Sequence, residues 1–369
     1  MADDNKLKKN QPPQYIERSA AIFLNSLSVG HTTSFSANQL PLAILDKSLS
    51  GKVDPTKSII SVQRDDWEIT YKAAAIADKD KKVSHYFATN SAMLILDTIW
   101  DLVSLNKCHL KQRDNTFSVM FRKQDVRNHL EEHGKSRSGK QINQQLEILQ
   151  GAILEVRNNS RTGSGAKGSP RSDVKLSGTY LQSAYEIESD DPKLDGLYMA
   201  TLHPIIAEDL MLGRFRDVEK TFLLGASESN ELYKTLIHLM RHQFTNADAT
   251  SECVSFGLWM NDILFSAGKV EAMTQAAMRK AINTLRAKLV DKNVISNRDC
   301  VESKWEMDGG RGVQDYRLTI TPTTLWGESQ RKSNAKHKRQ MELLASSEDV
   351  LIEEFEIEPT EKTVITKLS

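Results

Sequence analysis

Twice along this chain the hydrophobic pattern switches period in the same order: helix, strand, two helices joined by a short turn, then strand, loop, strand. No other feature constrains the fold as strongly. In the first passage residues 91–105 have helical spacing with Ser91 as N-cap, and 116–121 alternate as a strand. A helix at 123–132 stops at Gly134, the polar turn KSRSG opens a helix at 139–150, and strands at 153–158 and 174–187 flank a Gly/Ser/basic loop at 159–172. The second passage has a helix at 228–244, a short strand or turn at 253–258, and helices at 259–267 and 270–290 parted by Gly268. A strand at 293–298, a Gly-rich loop at 308–312 and a strand at 316–321 complete it. Phe117 to Ile153 and Phe256 to Val294 span nearly the same length, so the passages read as two copies of one fold.

That order is the order of a winged helix, a helix-turn-helix followed by a β-hairpin wing. The predicted architecture is α+β, mainly α. Tandem winged-helix domains occupy 85–190 and 191–330, after a helical, partly disordered N-terminal extension (1–84) and before a basic then acidic tail (331–369). In the extension, 15–27 and 36–49 have helical spacing, 67–77 reads as a strand running into a helix, and DKDKK at 78–82 is a charged turn. A strand at 197–202 and a helix starting near His203 connect the domains. Residues 1–14 and the acidic stretch 341–369 read as disordered.

The formal net charge is zero, from 49 Lys+Arg against 49 Asp+Glu, which would exclude a uniformly basic nucleic-acid binder. The zero is a sum of unlike parts. Residues 106–175 hold fourteen basic against seven acidic side chains, and 269–300 hold seven against three. The acid lies at 186–195 and after 341, where eight carboxylates face two lysines. Both helix-turn-helix passages are thus basic, as phosphate contact requires.

The second helix of each pair is the candidate reader of bases. In 139–150 the buried stripe is Ile142, Leu146 and Leu149, and Lys140, Gln141, Asn143, Gln144 and Glu147 face outward. In 270–290 the stripe is read as Ala277, Ala281, Leu285 and Leu289, leaving Thr274, Gln275, Met278, Arg279, Asn283 and Arg286 outside. Asn and Gln pair with adenine and Arg with guanine in the major groove. Arg161, Lys167 and Arg171 in the first wing, and Arg311 in the second, are placed to follow phosphates or the minor groove.

Three catalytic near-matches are set aside, and the chain is read as a non-enzyme without cofactor or metal. Residues 129–133, His-Leu-Glu-Glu-His, match the H-x-x-E-H pattern of inverted zincins, but the helix is short and the pair is read as chance surface residues. Residues 134–141, GKSRSGKQ, fall one residue short of a P-loop and lack its Mg²⁺-binding hydroxyl. His238 and His242 share a helix face with no evident third ligand. Three cysteines without a C-x-x-C pair fit a reducing cytosol, the N-terminus has no signal-peptide core, and apolar runs such as 92–100 fall short of the ~20 residues a membrane span needs.

The runs FATNSAMLILDTIWDLV (87–103), QINQQLEIL (141–149), LHPIIAEDLM (202–211) and ELYKTLIHLMRHQFTNA (231–247) resemble plasmid-type, iteron-binding replication initiators over about residues 85–325. The resemblance implies double-stranded DNA as partner, at directly repeated origin sites. It also implies opening of an AT-rich stretch, recruitment of host helicase-loading machinery, a homodimer that represses its own gene, and a monomer that initiates. Its setting would be the bacterial cytoplasm, on nucleoid or plasmid. By position the resemblance makes Arg279, Asn283 and Arg286 the base readers. Residues 1–84 have no counterpart in it. The competing readings are a winged-helix transcriptional regulator, which predicts a palindromic operator, and a protein-interaction module whose basic surface meets an acidic partner such as the chain's own tail.

Overall fold

The structure, a computed structural model, describes residues 31–34, 41–64, 67–78, 80–105, 107–113, 116–158, 174–187, 196–204, 206–207, 215–218, 228–244, 247–248, 250–252 and 255–348. Among these the fold is α+β, with seven α-helices and five sheets in which every ladder is antiparallel. No helix among them is long and apolar enough to cross a membrane.

Strand β1 (His31–Ser34) is followed by chain that is β-rich where helix was expected. Residues 41–46 hold no helix, and only Lys47–Leu49 form a 3-10 turn. The reason is where the backbone bonds go. Tyr71 Oη donates to the Pro41 carbonyl (2.6 Å), Tyr180 Oη to that of Leu42, and Ile44 N to Ala88 O (3.1 Å). A helix would withdraw these groups into its own ladder. β2 (Ile59–Arg64), β3 (Trp67–Lys72), β4 (Ala74–Ala77) and β5 (Val83–Tyr86) follow. The alanines of β4 therefore do not start a helix. Ala74 lies where a Cβ on Gly151 would be 3.0 Å away, so small side chains here serve close packing. Asp78 Oδ1 accepts from the amides of Asp80 and Lys82 and closes the turn into β5.

Helix α1 (Asn90–Ser104) begins at Thr89, which occupies the N-cap position without a side-chain bond, in place of the expected Ser91. A hairpin of β6 (His109–Arg113), not foreseen, and β7 (Thr116–Arg122) precedes α2 (Lys123–Glu132), α3 (Gly139–Gly151) and β8 (Ile153–Asn158). The single strand expected at 174–187 is two, β9 (Val174–Thr179) and β10 (Leu181–Ile187), and they enter different sheets at the buried Tyr180. β11 (Leu197–Leu202) runs into a helical turn at Pro204, and β12 (Phe215–Val218) pairs with β1. One hydrophobic core joins Ile44, Ile69, α1, α2, α3, β8 and β11 through Ala207. β3 pairs with β8 in register Ile69↔Val156, so the boundary expected at 84/85 falls inside a shared sheet and core.

The second core is built by α4 (Glu228–Gln243), β13 (Phe256–Trp259), α5 (Met260–Ser266), α6 (Gln275–Asp291), β14 (Val301–Asp308) and β15 (Val313–Ile320). No strand forms at 293–298. Asn293 takes φ 53 to end the helix, and Val294 and Ile295 turn straight into the core, an apolar doublet rather than an alternation. The expected tail boundary at 330/331 falls inside α7 (Thr324–Glu348). Trp326, fully buried, packs on Phe244 and Phe256, and Asn334 donates to the Phe244 and Ala247 carbonyls just past the end of α4.

Apart from β6, which has no counterpart in the second unit, the helices and strands recur in order, but the sheets do not. In the second unit the strand before the helix pair joins its hairpin, in the order β13-β15-β14. In the first, β7 joins β6 and β11, and the hairpin strands β8 and β9 extend β3.

Candidate nucleic-acid interface

Each helix pair is held by a local device. Gly134, at φ 67, ends α2, and Ser138 caps α3 in a capping box with Gln141. The Ser138 amide donates to Gln141 Oε1 (2.9 Å) and the Gln141 amide to Ser138 Oγ (3.3 Å). The side-chain oxygen of Gln141 is therefore used by the cap and is not an open base reader. Lys140 and Asn143 are exposed on α3, with Gln144 half-buried beside them. Ile148 joins the expected stripe of Ile142, Leu146 and Leu149 in the core.

In α6 the buried stripe is Met278, Ile282, Leu285 and Leu289, one residue later in its first half than expected. Met278 is consequently a core residue, not an outward one. Thr274 caps the helix through Oγ, which accepts from the Ala277 amide (3.3 Å). Gln275, Arg279, Lys280 and Asn283 are exposed. Arg279 Nε donates to Tyr316 Oη, with the guanidinium 6.0 Å over that ring, and Tyr316 packs on Trp305 at 4.8 Å. Arg286 turns to the hairpin, donating to the Val301 carbonyl and to Ser303 Oγ (3.0 Å). Its position fixes the hairpin against α6 and takes it out of the outward set.

Arg311 sits at the hairpin turn but points back into the fold. It pairs with Asp262 of α5 and with Asp308, both at 2.9 Å, and its side chain is 29% exposed. Arg64 of β2 pairs with the same Asp262. Its expected role as a wing-tip cation is replaced by this network. Arg161, Lys167 and Arg171 lie outside the described residues.

Sheet pairing also changes the charge picture. Arg157 meets Glu68, Lys123 meets Glu186, and Lys269 meets Asp46, each carboxylate lying outside the basic window that contains its cation. Glu155 takes both Lys72 and Lys175; the Lys72 hydrogen bond leads, with both cations adding, in holding its carboxyl below the usual range. Lys140 on α3, Lys280 on α6 and Lys304 on β14 are exposed and stand outside these ion pairs. Lys280 and Lys304 were not singled out from sequence. The correct phase of α6 would have found Lys280, which lies opposite Met278 and Ile282.

The two units meet at the α5–α6 turn. Leu45 N donates to Gly268 O (2.8 Å), and the buried Asp46 carboxylate accepts from the amides of Val270 (2.7 Å) and Glu271 (3.2 Å). The histidines of residues 129–133 are not both on the surface as expected: His129 is 4% exposed, between α2 and α1.

No family model matches the chain, and no curated protein matches it. Among solved structures it is similar to the selenomethionine derivatives of domains 2 and 3 of RctB, at 13% identity and TM-score 0.38, over 75% of this chain and 96% of that one. A second crystal structure of RctB domains 2-3 aligns at 15% identity and TM-score 0.36, over 80% of this chain and all of the other.

Proposed function

We propose that this chain binds double-stranded DNA sequence-specifically through two winged-helix units, and that it initiates plasmid-type replication from repeated origin sites while repressing its own gene. The observation that carries the reading is the exposed face of α6. It sets Gln275, Arg279, Lys280 and Asn283 beside the β14–β15 hairpin that carries Lys304. A helix presented this way enters the major groove, with Arg279 and Asn283 at base edges and Lys280 and Lys304 at phosphates. Tyr316 pre-orients the Arg279 guanidinium, and Arg286 fixes the hairpin relative to the helix. α3 offers Lys140, Asn143 and Gln144 in the same way. The initiator part of the reading rests on the sequence resemblance over residues 85–325. With it come the cytoplasmic setting, the dimer and monomer forms and the helicase-loading partner. No covalent chemistry is part of the reading.

The test is a fluorescence-anisotropy titration of the full chain with DNA flanking its own gene, against scrambled DNA of the same composition, over a range of salt. The flanking DNA is expected to bind tightly at directly repeated elements. Arg279→Ala should lose about 1–3 kcal/mol at one base position, and Lys280→Ala should weaken all sequences alike and lower the salt slope by about 1. A plasmid carrying this gene and its upstream region should then be maintained without another replicon. Equal affinity for flanking and scrambled DNA would overturn the DNA-reading assignment, and tight binding to a single palindrome without plasmid maintenance would favour a regulator.

A further inference from the structure

We propose that His129, Glu132 and His133, at the C-terminal end of α2, bind one divalent transition-metal ion of the zinc class. The three stand at i, i+3 and i+4, so one helical turn brings them together. One donor atom from each lies within 4.8 Å of the others. The rings of His129 and His133 are 4.4 Å apart, tilted at 49°.

The hydrogen bonds fix which nitrogens are available. His133 Nδ1 lies 2.9 Å from the His129 carbonyl oxygen, which only accepts. Nδ1 therefore carries the proton, and Nε2 keeps its lone pair. His129 Nε2 faces Asp101 Oδ2 at 3.4 Å across the α1–α2 contact, so the proton sits on Nε2 there. Its Nδ1 lone pair is buried with no hydrogen-bond partner, and Glu132 Oε2 stands 3.8 Å from it. A buried acceptor without a partner costs free energy, which a metal bond at that lone pair relieves.

Each imidazole thus donates one N–H to a carboxylate or a backbone carbonyl and keeps the other nitrogen as a lone-pair donor, that of His129 standing 3.8 Å from Glu132 Oε2. Metal-ligating histidines are oriented in this way. Two imidazoles and one carboxylate suit zinc, cobalt or nickel rather than the all-oxygen sites of calcium and magnesium. Zinc–ligand bonds of about 2.0–2.2 Å require the three donors to draw in, which the exposed Glu132 and His133 side chains are free to do. Their exposure also provides the entry path, and three protein ligands leave a fourth position for water. The bound ion would tie α2 to α1 through Asp101, directly before the turn into α3. The inference stands on this geometry and is independent of the DNA-binding reading.

The experiment uses the full chain, stripped with a chelator and dialysed. Zn²⁺ is titrated by calorimetry, and Co²⁺ by its visible ligand-field absorption. One ion per chain should bind, with a tetrahedral cobalt spectrum and a rise in the thermal midpoint. His133→Ala and Glu132→Gln alter exposed side chains and leave the core intact. Each should weaken binding at least tenfold and abolish the thermal shift, whereas His242→Ala, in the other i, i+4 histidine pair, should bind as the parent does. Parent-like binding by His133→Ala, loss of binding by His242→Ala, or no stoichiometric binding by the parent overturns the proposal.

Discussion

Gly268 shows how much one residue decides here. Its φ is +84, a region L side chains rarely adopt, and a Cβ there would lie 1.8 Å from the Ala43 carbonyl oxygen. Its own carbonyl accepts from Leu45 N, so no substitution can be absorbed by moving the turn away. Gly268→Ala should cost at least about 1–3 kcal/mol from the backbone conformation alone, with the clash added. Chemical denaturation reads this directly, and a midpoint equal to the parent's would show that the 43–48 strap does not hold the turn in solution. His203 offers a pH test. It is buried and donates from Nε2 to the Leu154 carbonyl at 3.1 Å, and burial lowers its pKa from 6.5 despite that bond. The folded state therefore binds its proton less readily than the unfolded state. The stabilisation is complete above 6.5 and is lost as pH falls through the depressed folded value. Urea midpoints should drop between about pH 7.5 and about pH 5.5, and His203→Gln should flatten that drop. An unchanged pH profile in the variant would assign the acid sensitivity to another group.

At the scale of elements, α7 carries the sharpest prediction. It looked like a charged tail because its stretch 331–340 is basic, yet Trp326 anchors it between Phe244 and Phe256, and Arg331 and Asn334 bond backbone carbonyls of the second unit. Trp326→Ala should cost about 3–5 kcal/mol, measured by thermal or urea unfolding. A loss below about 1 kcal/mol would mean that α7 is not part of the second core. The same elements show what sequence can and cannot disclose. α1, α2, α3, α4, α5 and β11 were legible because each carries a clear apolar period with its stop or turn signal in place. β3 was read as a strand, but β2, β4 and β5 were missed where Ala-rich or strap-like chain is stabilised by partners far away, since Ile60 needs Tyr71 and Pro41 needs Tyr71. In α6 the helix was legible but its phase was not. Ala277 and Ala281 compete with Met278 and Ile282 for the core, and only the packing against α4 and the hairpin decides. That one-residue shift hid Lys280 and put Met278 on the wrong face. Arg286 and Arg311 were legible as cations but not as bonded ones, because Val301, Ser303 and Asp262 reach them only through the fold.

The whole chain has zero net charge, and its basic windows are partly cancelled by carboxylates that the fold brings in from elsewhere. On the proposed reading, what it offers DNA is exposed lysines and two helix faces, so the fixed relation between those faces matters more than the field. That relation is set where the first core grips the α5–α6 turn. Asp46, 1% exposed, accepts from the Val270 and Glu271 amides and pairs with Lys269, while Ser48 bonds Glu271 and Arg64 meets Asp262 nearby. Hydrogen bonds to a charged acceptor contribute roughly 1.5–3 kcal/mol each, so Asp46→Ala should lower stability by about that much or more. It should also split a single calorimetric transition into two, because the grip couples the cores. Asp46 bonds Lys269 and the Val270 and Glu271 amides, none of them a residue of the proposed DNA surface. The number of phosphate contacts should then survive the substitution while their joint geometry does not. Affinity for a cognate repeat should fall, and the slope of log affinity against log salt, which counts phosphate contacts, should stay the same. A reduced slope would place Asp46 or its neighbours in direct control of a phosphate-binding cation. An unchanged affinity would show that the two helix faces act independently on DNA.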